Sequence, residues 1–280
     1  MENQRLDKWL KGQFPELSQS QVEEAIQLGL VSGSKKGEKG TSWDVAPLKQ
    51  YLEQLHSGNS LLKVPIVERL EGYVVVDKPA GMHGHPIHLT DKDTLTHWAF
   101  WNFPFTQNEF PNPQPTLVPH RLDYGTSGLQ IVALTKRAYE LWRERFTKKQ
   151  VRKSYLAWCW GVPKVKCFEL NFGLAHLASD STRMGVPALG DKTRGETHSA
   201  QSLCKVIEMK ADRFLVEVEC FTGVTHQVRA HLAAAKFPLL GDSVYDPEYK
   251  KRGGEFSHHL LRAVKLFFSD EESFSLQLRF

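Results

Sequence analysis

The stretch PHRLDYGTSGLQIVALT, Pro119–Thr135, sets an Arg-Leu-Asp triplet ahead of a Gly-rich turn and then runs directly into an apolar strand. Leu129–Leu134 carries the aliphatic run of a strand buried on both faces, whereas Arg121 and Asp123 are charges at its mouth. An Asp before a Gly turn can serve only to form that turn. The same position can also deliver a carboxylate into a pocket at the end of a sheet.

Working outward from this strand, KRAYELWRERFTKKQ (136–150) reads as a helix, with Ala138, Leu141 and Trp142 on its core side. KSYLAWCWG (153–161), SLCKVIEM (202–209) and FLVEVEC (214–220) read as strands. Upstream, a strand over Tyr73–Asp77 stops at Lys78-Pro79 and a Gly turn, and 103–118, rich in Pro, Asn and Gln, reads as a loop. Strands outnumber helices and do not alternate with them, so the expected class is α+β with a mixed, mostly antiparallel sheet. Residues 5–31 carry two helical patterns, Leu6/Trp9/Leu10 and Val22/Ile26/Leu30, with Ser18 or Ser20 as N-cap of the second. A Gly/Ser/Lys-rich loop (32–42) and a polar helical stretch (45–57) follow. The change in pattern near residue 60 divides the chain into a head, 1–58, and a large domain, 59–280.

The 280 residues are 41% hydrophobic and 24% charged, the profile of a globular protein with a sizeable core. No apolar run is long enough for a membrane span, and the first residues lack a signal-peptide pattern. The four cysteines, 159, 167, 204 and 220, form no CxxC pair; reduced thiols, a cytoplasmic setting and no metal site are expected. The net charge of +4 is unevenly spread. Residues 136–153 hold eight Lys or Arg against two Glu, while residues 1–60 hold seven basic and eight acidic side chains. A positive field over the large domain suits a polyanionic partner.

Two further segments carry candidate chemistry. CFTGVTHQVRAHLAAAKFPLLGDSVY (220–245) places Gln227, Arg229 and His231 on one face if extended; as a helix start it would instead group Arg229 and Ala233 with Thr225. KSYLA sets Lys153, Tyr155 and Ala157 on one side of a strand. A carboxylate, an arginine to keep it ionised and a tyrosine able to move a proton form a workable nucleophile and acid/base set.

HRLDYGTSGL, KSYLA and GVTHQVRAHLAAAKFPLLGD together resemble the three signature segments of RluA-type RNA pseudouridine synthases. VVVDKPAGMHGHP (74–86) and LLRAVKLFF (260–268) resemble that family's entry and closing strands, so the likeness covers roughly residues 65–280 in order. The resemblance implies a cofactor-free isomerase that converts uridine in folded RNA to pseudouridine. It maps the nucleophile onto Asp123, the active-site tyrosine onto Tyr155 and the arginine paired with the nucleophile onto Arg229. Arg121 is expected to clamp or replace the extruded base. His120, Lys153 and Gln227 are expected around the same site, with His120 supporting its loop. This chain departs from the family pattern at Tyr124-Gly125, where a charged pair is usual, at Val224 in place of Arg, and at Arg262 in place of His.

The head resembles an alpha-L RNA-binding module through RLDKWL and LSQSQVEEAIQLGLV, although Gln19, Gln21, Glu23 and Glu24 stand where a basic face is usual. Lys35 and Lys36 in its loop, with Lys136, Arg137, Lys148 and Lys149 in the large domain, are the expected phosphate contacts. Ribosomal RNA is slightly favoured over transfer RNA, and a monomer is expected. A catalytically silent RNA-binding or ribosome-associated protein on the same fold is the alternative. HRLD without a Gly-rich phosphate loop or Asp-Phe-Gly excludes a kinase, and Ser127 without a Gly-x-Ser-x-Gly elbow excludes that class of hydrolase.

Overall fold

The computed structural model describes residues 5–33, 43–56, 58–111, 116–177, 183–188, 192–268 and 273–275. Lys35 and Lys36 lie outside the described residues. The chain opens with three helices, α1 (Leu6–Gln13), α2 (Gln19–Gln27) and α3 (Ala46–Leu55), and continues through β1 (Ile66–Leu70), β2 (Tyr73–Lys78), α4 (Leu95–Asn102) and α5 (Thr106–Glu109). It then forms β3 (Ser127–Ala133), α6 (Lys136–Thr147), β4 (Arg152–Trp160), β5 (Cys167–Leu170), β6 (Leu174–Leu177), β7 (Met184–Gly185) and β8 (Thr193–His198). Last come β9 (Ser202–Met209), β10 (Arg213–Cys220), α7 (Gln227–Ala234), β11 (Leu261–Phe267) and β12 (Ser273–Ser275).

Nine strands form one sheet in the order β1-β2-β3-β11-β4-β10-β9-β5, with β12 flanking β11; β6, β7 and β8 form a second, small sheet. Every pairing is antiparallel except β3 with β11, so the sheet is mixed and mostly antiparallel in an α+β fold. The loop expected over 103–118 contains the short helix α5. Strands β1 and β5 to β8 carry charged or half-exposed residues, which hide the alternation that marks a strand.

Period-2 alternation decides which side of the sheet each residue serves. On β10, Phe214, Val216, Val218 and Cys220 are buried while the residues between them are half-exposed. The buried set packs with Tyr155, Ala157 and Cys159 of β4 and with Val228 and Leu232 of α7. Lys153 shares that side of β4 with Tyr155, so the α7 side of the sheet is where polar side chains can converge. Elsewhere Trp142 of α6 is fully buried against Val75, Leu129 and Ile131. Thr135 starts α6 by accepting a hydrogen bond from the Ala138 amide at 3.2 Å, a capping contact worth about 1 kcal/mol.

Gly128 allows the parallel pairing. Its φ is 109°, and a Cβ there would lie 2.1 Å from the Ala263 carbonyl oxygen on β11. Any side chain would push β3 and β11 apart just below the Asp123 loop.

The head is docked on the rest of the chain. Ser18 caps α2 in a reciprocal box with Gln21. The Gln21 amide then reaches the Ile87 carbonyl at 3.2 Å, and Glu24 accepts hydrogen bonds from the Leu89 amide at 2.9 Å and the Thr90 hydroxyl at 3.2 Å. Leu89, fully buried, enters the core that Leu6, Leu10, Val22, Leu48 and Leu52 build. Gln21 and Glu24 of the second helix therefore face the 87–90 segment, while Gln19, Ser20 and Glu23 stay exposed.

Candidate active site

Four segments meet at the mouth of β3. The loop before β3 brings Arg121 and Asp123, β4 brings Lys153 and Tyr155, the 222–226 turn closes one wall, and α7 brings Gln227 and Arg229. They line a cavity of about 520 Å3, part of it open to solvent. The segment left open in sequence as strand or helix is the helix α7. Its first turn aims Arg229 at the pocket and turns His231 away, to Ser202 Oγ at 3.0 Å and the Phe172 carbonyl at 2.9 Å.

Arg229 sits between two carboxylates. Its Nη1 donates to Asp123 Oδ2 at 3.0 Å, while Nε and Nη2 reach Asp242 Oδ2 and Oδ1 at 2.8 and 2.9 Å. Asp242 is fully buried and Arg229 is only 5% exposed, so a planar guanidinium and a carboxylate are locked in a two-pronged pair. The same Asp242 Oδ1 accepts the Val244 and Tyr245 amides at 3.0 and 3.1 Å. Burial opposes ionisation of Asp242, but the Arg229 bonds and charge outweigh it and hold the carboxyl below its ordinary value. Burial likewise opposes charge on Arg229, and the two carboxylates raise its pKa further. Asp242 thus fixes Arg229, and one of the three remaining guanidinium N–H groups goes to Asp123.

The walls are tuned by burial. Burial pushes the Tyr155 phenol well above its ordinary range, so it keeps its proton at neutral pH. Burial lowers the Lys153 pKa, with the nearby Cys220 and Asp123 acting the other way. Burial raises the Cys220 thiol to about 11, which leaves it protonated. His226 occupies the left-handed region, φ 55°, at the entry to α7, a conformation uncommon outside glycine. Its Nδ1 lies 3.1 Å from the Tyr245 hydroxyl and its Nε2 3.8 Å from Asp123. Burial lowers its pKa, so at neutral pH this contact involves an uncharged ring.

Arg121 is exposed at the rim, and among the described residues none accepts a hydrogen bond from its guanidinium. Gln227 lines the cavity but its amide is committed to the walls: it accepts from Thr222 Oγ1 at 2.8 Å and the Val224 amide at 3.2 Å, and donates to the Gln201 carbonyl at 2.9 Å. His120 turns away from the pocket. Its ring lies 4.5 Å from that of Phe146, and its Nε2 accepts the Ile131 amide at 3.0 Å, so it braces the base of the loop.

The basic candidates divide along α6. The helix runs back beside β3, bringing Phe146 onto His120 and Arg143 to the Pro119 carbonyl. Lys148 and Lys149 therefore lie toward the site, whereas Lys136 and Arg137 begin the helix at the far end of β3, roughly 20 Å away for seven strand residues. Lys148 is paired with Glu144 at 2.5 Å, and Lys149 lines a groove that shares Thr222–Thr225 with the central cavity.

Several site residues carried no assignment from sequence. Asp242 is one, although a carboxylate after Pro-Leu-Leu-Gly, inside an apolar stretch, is a signal that a buried cation must face it. Lys78 is another: fully buried, it donates to the Pro79 and Met82 carbonyls at 2.9 and 2.8 Å, and burial lowers its pKa to about 8. His259 contacts Thr126 Oγ1 at 2.8 Å and supports the turn after Asp123. Arg262, at the position noted for its departure from the family pattern, pairs with Asp77 at 2.6 Å across β3.

Carboxylate, arginine, lysine and tyrosine side chains thus converge in one cavity at the end of a mixed sheet. Residues 72–234 match the family model for RNA pseudouridylate synthase, and the chain belongs to that family, in its RluA-type branch. It is 32% identical over 197 residues to the dual-specificity RNA pseudouridine synthase RluA of Yersinia pestis, covering 66% of this chain and 84% of that one. It is 27% identical to the ribosomal large subunit pseudouridine synthase D of Zymomonas mobilis, over 92% of this chain and 80% of that one. With RNA pseudouridine synthase 2, chloroplastic, of Arabidopsis thaliana it shares 28% identity over 86% of its own length but spans only 64% of the plant protein. Among solved structures, human RNA pseudouridylate synthase domain containing 1 shares the fold, with a TM-score of 0.63 at 24% identity, covering 78% of this chain and 84% of that one. No helix among the described residues is long and apolar enough to cross a membrane.

Proposed function

We propose that this chain isomerises uridine to pseudouridine at specific positions in structured RNA, with Asp123 as the nucleophile toward an extruded nucleotide. The observation that carries this is the Asp123–Arg229–Asp242 array: a carboxylate at the cavity mouth held by an arginine that a second, buried carboxylate immobilises. In the reaction the bond from N1 to the ribose C1′ breaks and a bond from C5 to C1′ forms. C5 loses a proton and N1 gains one, so no redox partner or cofactor is needed. The Arg229 N–H donated to Asp123 Oδ2 orients that side chain for attack, and the N-terminus of α7 adds positive potential to the same spot. Tyr155, protonated at rest, would pack on the uracil plane and take the C5 proton only as its own phenolic proton passes to the neighbouring Asp123 carboxylate once that group is free again. Extruding a base costs a few kcal/mol, and Arg121, unengaged at the rim, is placed to fill the vacancy. Ribosomal RNA is the first substrate class to test, because a relative aligned over 92% of this chain is named for the ribosomal large subunit; transfer RNA is the second.

The test incubates wild type and Asp123→Asn with total RNA from cells lacking this protein and maps pseudouridines by chemical adduct and primer extension. Wild type is expected to restore one or a few sites and the variant none. Equal restoration by the variant removes Asp123 as nucleophile. Restoration by neither, with RNA binding retained, leaves a silent RNA-binding protein.

A further inference from the structure

Beside the cavity, on the outer side of the Asp123 loop, lies an aromatic cluster that the reaction above does not use. Tyr124 follows the nucleophile directly, yet it does not line the cavity and is 47% exposed. The His83 ring lies 4.6 Å from its ring at a tilt of 42°, and the His258 ring lies 5.5 Å away and nearly perpendicular. A half-exposed tyrosine between two imidazoles can be a passive surface feature, but three observations show a ring held in place.

The first is the backbone. The Tyr124 carbonyl accepts the Gly81 amide at 2.8 Å and lies 3.5 Å from the buried Lys78 ammonium, which itself ties down the Pro79 and Met82 carbonyls. The second is the close fit of the brace. A Cβ on Gly81 would stand 2.8 Å from His258 Nε2, and one on Gly125 would stand 2.9 Å from the His259 ring and 3.3 Å from His258 Cβ, so the imidazoles occupy space that only glycine leaves. The third is position. Tyr124 follows Asp123 directly, and its ring rests on His83, which feels the charge of the exposed Arg121 on the same loop, so ring and cation share the rim beside the cavity.

A rigid aromatic surface next to a cation and a nucleotide pocket has the chemistry of a base-stacking platform, since every nucleobase offers a π-face. Burial lowers the His83 pKa, with Asp91 opposing and the Lys78 and Arg121 charges adding to the effect, which keeps a neutral ring in the platform. We propose that Tyr124, braced by His83 and His258, stacks on the RNA base neighbouring the nucleotide held at Asp123. The platform would fix the register of the strand around the extruded uridine. This deepens the proposed function and rests only on its RNA-binding half.

The test uses fluorescein-labelled 12-mer RNAs of mixed sequence carrying one uridine, with one 2-aminopurine nucleotide set at each position around that uridine in turn and a parallel set carrying one abasic nucleotide. Wild-type protein is expected to quench 2-aminopurine at one position. Tyr124→Ala should abolish that quenching and weaken binding about tenfold, the size of one base–aromatic stack, while Tyr124→Phe and Tyr124→Trp retain both. With the abasic nucleotide at that position, wild type and Tyr124→Ala should bind alike. Unchanged quenching in Tyr124→Ala, an equal loss of affinity on abasic RNA, or no binding of any RNA in the series by wild type would each overturn the platform. Position-specific quenching by wild type that forms no pseudouridine on total RNA would instead keep the platform and retire the catalytic proposal.

Discussion

Replacing Asp242 by Asn probes the array that positions Asp123 without touching Asp123 itself. The side chain fits the same space, so the consequence follows from which atoms donate. In wild type, Asp242 Oδ1 takes one Arg229 N–H and the amides of Val244 and Tyr245, and Oδ2 takes the Arg229 Nε–H. An Asn that keeps its oxygen at the Oδ1 position must aim its NH2 at the Arg229 Nε–H, donor against donor. One charge-assisted bond is lost, worth about 1.5–3 kcal/mol, and a buried donor is left unpaired, at about 1–3 kcal/mol more. The expected loss is about 3–5 kcal/mol, the range found when a buried ion pair is broken from one side. Total stability is on the order of 5–15 kcal/mol, so the variant should fold but unfold at visibly lower urea. The pH dependence has a definite sign. Asp242 is held below its ordinary 3.8 in the folded chain, so its ionisation stabilises the fold above that value, and the contribution fades as pH falls from 3.8 through the folded pKa. Urea titrations at pH 7 and pH 5 should therefore give the same gap between wild type and Asp242→Asn, with narrowing only below about pH 3.8. A gap under about 1 kcal/mol at pH 7, or one that closes between pH 7 and 5, refutes the assignment of Asp242 as the anchor of Arg229.

Tyr155→Phe should lower the single-turnover rate by about 10²-fold or more while leaving RNA affinity within a few-fold; wild-type turnover would remove its role at C5. Lys148→Gln together with Lys149→Gln should reduce the slope of log affinity against log salt by up to about two, whereas changing Lys136 and Arg137 at the far end of the helix should leave it unchanged. Leu89→Ala should cost about 2–5 kcal/mol in urea unfolding and expose the 58–64 segment to protease, because that side chain fills the core of the head. Loss confined to less than about 1 kcal/mol would mean the head closes without it.

Much of the catalytic half was legible because its signals are local. The β3 strand and α6 helix follow from aliphatic runs and helical spacing, and β9 was delimited to the residue. Asp123, Tyr155 and Arg229 come from segments up to 106 residues apart, and it was the resemblance to a known family, rather than any pattern within one segment, that grouped them. What stayed hidden depends on pairings that periodicity does not encode. His120 is three residues from Asp123, yet the chain crosses from the α6 side to the cavity between them, so one ring braces the loop and the other group faces the pocket. Gln227 lies in the predicted neighbourhood but uses its donors and acceptor to shape the 222–226 turn. Asp242 needed a partner 13 residues upstream on a helix whose orientation sequence left open between two alternatives.

The head shows how a compositional expectation can be reassigned by geometry. Gln21 and Glu24 read as a depleted RNA face because a basic surface is usual in modules of that likeness. In the structure both side chains bond the 87–90 segment, and Glu24 alone receives two donors from it. A carboxylate is the side chain that can accept from a backbone amide and a hydroxyl at once, one on each oxygen, whereas a Lys in that place would leave both donors unpaired. Glu24 thus serves docking, while Glu23 stays exposed and, among the described residues, bonds only Gln19 of the same helix. It follows that neutralising Glu24 cannot be read as restoring an RNA surface: the variant would loosen the 87–90 segment, which lies a few residues beyond His83 on the same stretch of chain, and so would disturb the rim of the cavity from behind. Any RNA grip by the head has to be sought on side chains other than Gln21 and Glu24, which the 87–90 segment already occupies.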